Sequence, residues 1–334
     1  MGNPLISVII PTRDRSGALR ETLAALGGQT LSVSDYEVIV VDDGSRPAVQ
    51  VPWIHEGPRC AVLRLNGRER SAARNAGARV ARGDLVVFVD DDITVSGNFL
   101  EAHVTGHREW PGALVVGSIQ LSDEVLRGPF GRFRQALEQR GIPAQRGIAG
   151  ASNLCTAQNM SVDRQRFVEL EGFAEELVSA EDQDFALRHC EKGGIIVFLP
   201  EAAGIHRDEA ADVRGYCRRM EWGSERLLAF CRRHPAWPDN VARERVNGPV
   251  RLGCEPVGLT LRKLMKTMMA LPPVVKLLFA TATLLERTAP SSPLLEKLYR
   301  LLLGVHILRG YRRGLARFTG QAGVELSAMA PHRR

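Results

Sequence analysis

Three consecutive aspartates follow an apolar run in this sequence. The segment 85–89, LVVFV, is apolar throughout and leads directly into Asp90, Asp91 and Asp92. Like charges this close repel one another and resist burial, so we expect a positive partner beside them. Carboxylate oxygens suit Mg²⁺ and Mn²⁺, which commonly bind one or two carboxylates together with substrate phosphates. On an extended chain Asp90 and Asp92 point the same way, so the two can share one ion, although acidic triplets are also common in solvated loops.

Two other groups of polar residues follow segments of strand length. The β-branched runs at 5–11 (LISVIIP) and 36–42 (YEVIVVD) precede Thr12-Arg13-Asp14 and Asp43-Gly44-Ser45. Helical spacing lies between these runs and again at about 68–81, and this alternation predicts a parallel sheet with helices on both faces. Ligands of such sheets bind beyond the carboxyl ends of the strands. We therefore expect the polar residues to lie together at one edge of the sheet.

A second candidate group lies further along the chain. SAEDQDFALRHCEKGG, at 179–194, predicts a helix with Ser179 as N-cap and acids in its first turn. The helix dipole favours the charged form of Asp182, which predicts a carboxylate that is ionised at neutral pH and can accept a proton. The alternative is that these acids only match the positive end of the helix dipole. His206, just after the strand IIVFLP, is either a metal ligand or a surface histidine with ordinary partners.

Together these segments resemble a known family. SVIIPTRDR, YEVIVVDDGS, RSAARNAGARVARGDLVVFVDDD and SAEDQDFALR match, in order and approximate spacing, the motifs of family 2 glycosyltransferases over roughly residues 5 to 235. The resemblance implies an α/β GT-A fold, in which helices flank a Rossmann-like mixed sheet. It also implies transfer of a sugar, with inversion, from a nucleotide-diphosphate-sugar, expected to be a UDP-sugar, to an acceptor hydroxyl. The implied cofactor is Mn²⁺ or Mg²⁺.

The resemblance also assigns roles to individual positions. Asp182 matches the catalytic base. The positions implied for the donor and its nucleotide are Pro11, Thr12, Arg13, Asp14, Asp43, Arg74, Asp90 and Asp91. Those implied for the metal are Asp92, Asp90 and His206, and those implied for the acceptor are Asn159 and Glu181. Many relatives have Gly-Gly where this chain has Ser179-Ala180, a change that bears on the shape of the acceptor pocket.

Three other classes of protein share some of these features. A nucleotidyltransferase also binds nucleotide and metal on an α/β sheet, but its Gly-rich basic loop is only loosely matched by PTRDRSGALR. A phosphoacceptor receiver module has a similar acidic pocket, but it needs a later strand-end Lys and is far shorter than 334 residues. A non-catalytic sugar-binding relative is disfavoured because the metal and base positions are all intact.

The charge distribution divides the chain. Residues 261–334 hold thirteen Lys or Arg against three Glu, a net +10, so the first 260 residues carry −4 of the total of +6. We predict a GT-A domain at 1–235 and a basic, amphipathic helical extension at 236–334, and we expect irregular chain at 122–150. Aromatic residues make up only 6%, and no recognition motif is present, so nucleic acid is not an expected partner.

The helical segments at 261–318 predict a surface for a partner. They combine apolar periodicity with Arg, which is typical of a helix in a membrane interface, of packing against the body, or of a homodimer contact. Two prolines and Lys276 interrupt the most apolar window, so a full membrane crossing is not expected. Six scattered cysteines and an N-terminus without a basic segment predict a cytoplasmic protein, peripheral on the inner membrane face at most. The expected acceptor is a saccharide, a lipid-linked molecule or a small molecule.

Overall fold

The computed structural model describes residues 3–51, 57–143, 145–149, 155–208 and 212–328, with side chains as far as residue 317. The chain divides into two compact units. Unit 1 comprises Met1–Arg127 and Arg134–Glu209, and unit 2 comprises Gly128–Phe133 and Ala210–Arg334. Residues 213–233 belong to the predicted domain 1–235 but fall in unit 2, and the predicted domain boundary at 235 stays a prediction. Arg333 and Arg334 of the basic tail lie outside the described residues.

Unit 1 contains one mixed sheet. Its strands in the described residues are β1 (Ile6–Thr12), β2 (Tyr36–Asp42), β3 (Arg59–Arg64), β4 (Leu85–Val89), β5 (Ile93–Val95), β6 (Leu114–Leu121), β7 (Gly147–Ala149), β8 (Asn159–Asp163) and β9 (Ile196–His206). They lie in the order β3-β2-β1-β4-β8-β6-β9-β5, and β7 pairs with β9. The strands β3, β2, β1 and β4 are parallel, as the alternation of strands and helices predicts.

Beyond β4 the sheet is not parallel. The strand β8 is antiparallel to both β4 and β6, whereas β6 and β9 are parallel to each other. The prediction of a uniformly parallel sheet from strand and helix alternation therefore holds only for the first half. The mixed sheet implied by the family resemblance is confirmed.

Both faces of the sheet are covered, which explains why β1 and β2 are apolar almost without interruption. The helices from the first part of the chain are α1 (Ser16–Gly27), α2 (Glu69–Val80), α3 (Phe99–Glu109), α4 (Asp123–Leu126), α5 (Pro129–Glu138), α6 (Arg164–Glu169) and α7 (Glu181–Glu191). Alternate side chains of β1 enter opposite cores: Val8 belongs to the same core as Leu23 of α1, while Ile9 belongs to the same core as Ala73 of α2. The helices thus hold the strand ends in fixed positions.

The predicted start of α7 is shifted by one residue. Its N-cap position is Ala180 rather than Ser179, and the N-cap position of α1 is Arg15. Ala180 has a φ of 65°, the left-handed region, and no side chain caps either helix. The chain therefore enters α7 through a tight turn, which places Glu181 and Asp182 in its first turn.

The prediction of irregular chain at 122–150 is wrong for the described part of that segment. It contains α4, α5 and β7, while residues 144 and 150 lie outside the described residues. Phe130 and Phe133 are three positions apart and therefore share one side of α5. Both rings lie with their centroids 5.1 Å from that of Tyr299. Long-range aromatic packing thus stabilises a helix whose local periodicity is weak.

Unit 2 is built from the later helices, α8 (Val213–Arg233), α9 (Pro238–Asn247), α10 (Val257–Met269), α11 (Pro272–Thr288) and α12 (Pro293–Ala328). The helix α11 begins at Pro272-Pro273, the two prolines of the most apolar window, and α12 begins at Pro293. Among the described residues no single helix is long and apolar enough to cross a membrane; α10 and α11 meet that test only as a pair bent by 79°.

The helix α12 packs inside unit 2, against α8. Its apolar side chains Leu302, Val305 and Leu308 are buried. A Cβ on Gly310 would lie 2.0 Å from the Glu221 carbonyl oxygen, and one on Gly314 would lie 2.5 Å from that of Glu225, so both positions need glycine for the two helix backbones to meet. For the segment 261–318 the sequence predicts a membrane surface, packing against the body or a homodimer contact. In the structure, α12 packs against the other helices of its own unit.

Candidate functional site

The three aspartates after β4 are buried, and cationic groups lie beside them. Asp90, Asp91 and Asp92 are each less than 10% exposed. Arg15 donates to Asp91 Oδ1 over 3.0 Å and pairs with Asp92 Oδ2 at 2.9 Å. Arg74 donates to Asp90 Oδ1 over 2.6 Å. The two guanidinium groups supply the positive charge that the buried triplet requires.

Asp91 joins the ends of two neighbouring strands. The Thr12 hydroxyl, at the end of β1, donates to Asp91 Oδ2 over 2.6 Å, and the Thr22 hydroxyl donates to the Asp91 carbonyl oxygen over 2.8 Å. Burial raises the pKa of Asp91 to about 6, and the Thr12 hydrogen bond and the charge of Arg15 only partly oppose that rise. Asp91 therefore connects the predicted donor-binding residues of β1 to the triplet.

Asp92 lies against His206, the last residue of β9. Their Oδ2 and Nε2 atoms are 3.1 Å apart, and both side chains are buried. Burial favours a higher pKa for Asp92, but the hydrogen bond and charge of His206, together with the charge of Arg15, outweigh it and lower that pKa to about 2. Asp92 is therefore ionised at neutral pH.

The surroundings of Asp92 suit a divalent cation. Its Oδ1 is buried and has no hydrogen-bond partner in the part of the chain that the structure describes. An ionised carboxylate oxygen with a free lone pair, beside an imidazole nitrogen, is a suitable donor set for Mn²⁺ or Mg²⁺. Within the described residues no three His, Cys, Asp or Glu side chains stand close enough to form a ready metal site. Of the predicted ligands, Asp92 and His206 are together, while Asp90 is bound by Arg74.

Arg74 connects the acidic triplet to the start of α7. Its side chain is 2% exposed, and besides Asp90 it donates to Glu181 Oε1 over 2.8 Å. Arg74 and Glu181 are 107 positions apart in the sequence. The motif after β4 and the motif at α7 therefore belong to a single site.

Asp182 lies at the start of α7, next to Glu181. Its carboxylate accepts hydrogen bonds from the backbone N–H groups of Gln183, over 2.8 Å, and of Ala157, over 3.3 Å. Burial and the charge of Glu181 raise its pKa to about 7, against the opposing charge of Arg74. The prediction that the helix dipole keeps Asp182 ionised at neutral pH holds only in part, because desolvation and the neighbouring carboxylate oppose the effect of the helix end and bring the pKa to about 7.

The other predicted donor residues lie in the loops after β1 and β2. Asp43 accepts from the backbone N–H of Arg68 over 2.7 Å and that of Glu69 over 3.1 Å, and so caps the start of α2. Asp14 accepts from the backbone N–H of Arg46 over 2.8 Å. Arg13 is largely exposed, while Pro11 is buried within β1. Asp14, Asp43 and Arg13 thus lie at the same sheet edge as Asp91, and their donor roles stay predictions.

Asn159, predicted to contact the acceptor, is fully buried inside the sheet. Its amide nitrogen donates to the carbonyl oxygens of Ser118, over 3.1 Å, and Ala202, over 2.8 Å. Its amide oxygen is 3.2 Å from His103 Nε2. In this structure Asn159 joins β8 to the neighbouring strands β6 and β9 and has no surface available for an acceptor.

Arg15 is a site residue whose role the sequence alone does not identify. It belongs to the charged stretch RDR after β1, and residues 76 and 77 positions away provide its carboxylate partners. A buried acidic triplet needs a cation beside it, and this need points to an arginine of the RDR stretch. Arg13 and Arg15 meet it equally well on sequence grounds. Only the path of the loop selects Arg15.

We predict that Arg74→Ala lowers the free energy of unfolding by about 3 to 5 kcal/mol, because it leaves Asp90 and Glu181 buried without their cation. Denaturant unfolding followed by circular dichroism measures the change. Arg79→Ala is the matched control on the same helix, since Arg79 is 63% exposed and its distance to Glu175 is 3.9 Å. Equal stability of the two variants would contradict a structural role for the Arg74 bridge.

Comparison with known proteins relates part of this chain to a family. Residues 7–162 match the model of Glycosyl transferase family 2. Validoxylamine A glucosyltransferase of Streptomyces hygroscopicus subsp. jinggangensis (strain 5008) is 32% identical over 119 residues, which make up 34% of this chain and 28% of that protein. Pre-mycofactocin glycosyltransferase of Mycobacterium tuberculosis (strain CDC 1551 / Oshkosh) is 27% identical over 238 residues, 69% of this chain and 48% of that protein.

A solved structure shares the fold. The mannosyltransferase PcManGT from Pyrobaculum calidifontis, in complex with GDP-Man and Mn²⁺, matches with a TM-score of 0.58 and 16% identity over 94% of this chain and 89% of that one. Residues 7–162 therefore resemble glycosyl transferase family 2, and the chain has the GT-A fold. It spans less than two thirds of the length of the two curated relatives named above.

Proposed function

We propose that this protein transfers a sugar from a nucleotide-diphosphate-sugar to an acceptor hydroxyl, with inversion at the anomeric carbon and with Mn²⁺ or Mg²⁺ as cofactor. The observation that carries the proposal is the Arg74 bridge between Asp90 and Glu181. It brings a candidate donor and metal site within one side chain's reach of a candidate base, as such a reaction requires. The two curated relatives named above are both called glycosyltransferases, and their names support the same class of reaction.

Asp92 and His206 are the residues that would hold the cation. Their support is the buried, unpartnered Oδ1 of Asp92 and the low pKa of its carboxylate. When bound, the ion supplies positive charge against the negative charge that develops on the leaving diphosphate. Arg74 and Arg15, already beside the aspartates, orient the carboxylates and limit their mutual repulsion.

Asp182 is proposed as the general base. In the reaction the bond between the anomeric carbon and the diphosphate oxygen breaks, and a bond to the acceptor oxygen forms on the opposite face. The acceptor hydroxyl gives its proton to the Asp182 carboxylate. A pKa of about 7 suits this role, because a base with a pKa near the working pH combines availability with proton affinity.

Thermal unfolding with a panel of donors tests the proposal. UDP-glucose, UDP-N-acetylglucosamine, dTDP-glucose and GDP-mannose are each added with Mn²⁺ or with EDTA. We expect one of them to stabilise the protein only with Mn²⁺, by about 2.7 kcal/mol at a concentration of a hundred times its Kd. UDP-sugars are the expected donors, and GDP-mannose is included because PcManGT is in complex with GDP-Man.

A product assay with the stabilising donor separates the alternatives. A glycosyltransferase releases the nucleoside diphosphate, whereas a nucleotidyltransferase releases pyrophosphate from a nucleoside triphosphate and a sugar phosphate. A non-catalytic relative binds the donor and releases neither. If none of the donors stabilised the protein in a metal-dependent way, the proposal would be overturned.

A further inference from the structure

The helix α10 has its apolar side chains on the outside. Val257, Leu261, Leu264, Met265 and Met268 follow the spacing i, i+4, i+7, i+8, i+11, which places them on one face of the helix. All five are exposed, by 45% to 84% of their surfaces. A helix of a soluble unit normally turns such a face toward the core.

The two lysines of the same helix point inward, whereas Arg262 is exposed. Lys263 is 3% exposed, forms an ion pair with Glu255, and donates to the Pro249 carbonyl oxygen over 3.1 Å. Lys266 donates to Asn247 Oδ1 over 2.7 Å. The usual arrangement is therefore inverted: α10 is anchored to unit 2 by lysines and presents its apolar face outward.

The break after α10 and the helix α11 also carry exposed apolar side chains. Leu271, at the break between the helices, is 51% exposed, and Leu277 and Leu284 are 66% and 60% exposed. The inner side of α11 is well packed, with Val275 and Phe279 buried. We name the exposed residues the α10–α11 face; they are Val257, Leu261, Leu264, Met265, Met268, Leu271, Leu277 and Leu284.

Positive charge accompanies this face. Residues 257–288 contain five Lys or Arg and one acid, Glu286. Arg262, Lys276 and Arg287 are exposed, while Glu286 accepts a hydrogen bond from the Tyr299 hydroxyl over 2.7 Å. An apolar surface bordered by cations suits a partner that is both apolar and anionic.

We propose that the α10–α11 face lies on an anionic lipid bilayer, with its Leu and Met side chains at the boundary between headgroups and acyl chains. Apolar burial and attraction of Lys and Arg to anionic headgroups are the two forces that hold such helices at a membrane surface. A second copy of the chain is the competing occupant. In a two-fold contact the same cationic face meets itself, so the basic residues repel, whereas anionic headgroups neutralise them.

Vesicle flotation with the full chain tests the proposal, with phosphatidylcholine vesicles that contain or lack phosphatidylglycerol. We expect the wild-type protein to float with the anionic vesicles and to float less as salt is added. The triple variant Leu261→Gln, Met265→Gln, Met268→Gln is expected to lose at least about tenfold in its partition coefficient, because three exposed apolar side chains no longer enter the lipid.

A matched control replaces three equally exposed apolar residues of unit 1. Val33→Gln, Val80→Gln, Val168→Gln changes side chains that are 52%, 50% and 58% exposed, against 56%, 52% and 62% for the test variant. The control is expected to bind vesicles as the wild type does. Circular dichroism verifies that both variants fold, which is expected since all six side chains are exposed.

Two results would overturn the proposal. One is a wild-type protein that does not float with anionic vesicles, and the other is a test variant that floats as well as the control. Sedimentation without lipid distinguishes the competing occupant. If the wild type were a dimer that does not bind vesicles and the triple variant were a monomer, the face would be assigned to a second copy of the chain. No substrate is present in these assays, so their failure is separate from failure of the proposed glycosyl transfer.

Discussion

Asp182→Asn is expected to lower the rate of sugar transfer by about 10²- to 10⁴-fold, the range that a positioned general base contributes. The amide of Asn has nearly the same shape but cannot take up the acceptor proton. Donor binding should change little, since Asp182 is assigned to the acceptor. The measurement is release of nucleoside diphosphate at saturating donor, together with the donor's thermal stabilisation of the variant.

The pH dependence gives this prediction a second readout. Burial and the charge of Glu181 raise the pKa of Asp182 to about 7, and only the deprotonated carboxylate can act as base. The value of kcat/KM should therefore rise with pH up to about 7 and level off above it, and Asp182→Asn should remove that dependence. An unchanged pH profile in the variant would contradict the assignment.

Glu191→Gln provides the matched control for this helix. Glu191 is the last residue of α7 and is exposed, so its replacement removes a carboxylate from the same helix without touching the site. Its activity and pH profile should equal those of the wild type. If both variants lost activity alike, the effect would come from the charge of the helix rather than from a base at Asp182.

Asp92→Asn is expected to remove the Mn²⁺ dependence of donor binding and to weaken that binding by at least about tenfold. Loss of residues that only orient metal ligands already costs 10- to 100-fold in many sites, and Asp92 is a candidate ligand itself. The unpartnered Oδ1 of Asp92 is the oxygen that is available to the cation. Without it His206 remains, and a single imidazole is a weak ligand for a hard cation. Calorimetric titration of the donor with Mn²⁺ and with EDTA measures both quantities.

Asp123→Asn is the corresponding control, because Asp123 is an exposed carboxylate at the start of α4. Its donor affinity should keep the full Mn²⁺ dependence. Thermal unfolding without ligand is needed beside these titrations, since Asp92 also pairs with Arg15. A folded Asp92→Asn variant that retained metal-dependent binding would move the cation to other ligands.

Much of the fold follows from local pattern. The strands β1, β2 and β4 are continuous apolar runs, and helices between them impose parallel pairing. Parallel neighbours end at the same edge, so the closeness of Thr12 to the acidic triplet could be predicted before any coordinates. The helix α5 could not, because its stability depends on aromatic contacts of Phe130 and Phe133 with Tyr299, a residue far along the chain.

The amino-acid sequence by itself determined which edge of the sheet carries the acids, the order of the motifs and the class of protein. The tertiary structure decided which cations meet those acids, since Arg15 and Arg74 find partners up to 107 positions away. It also decided that the pKa of Asp182 is raised to about 7, because burial depends on packing. Periodicity shows that α10 has an apolar face, but only the packed unit shows that this face is left exposed, since spacing along a helix contains no information about what covers it.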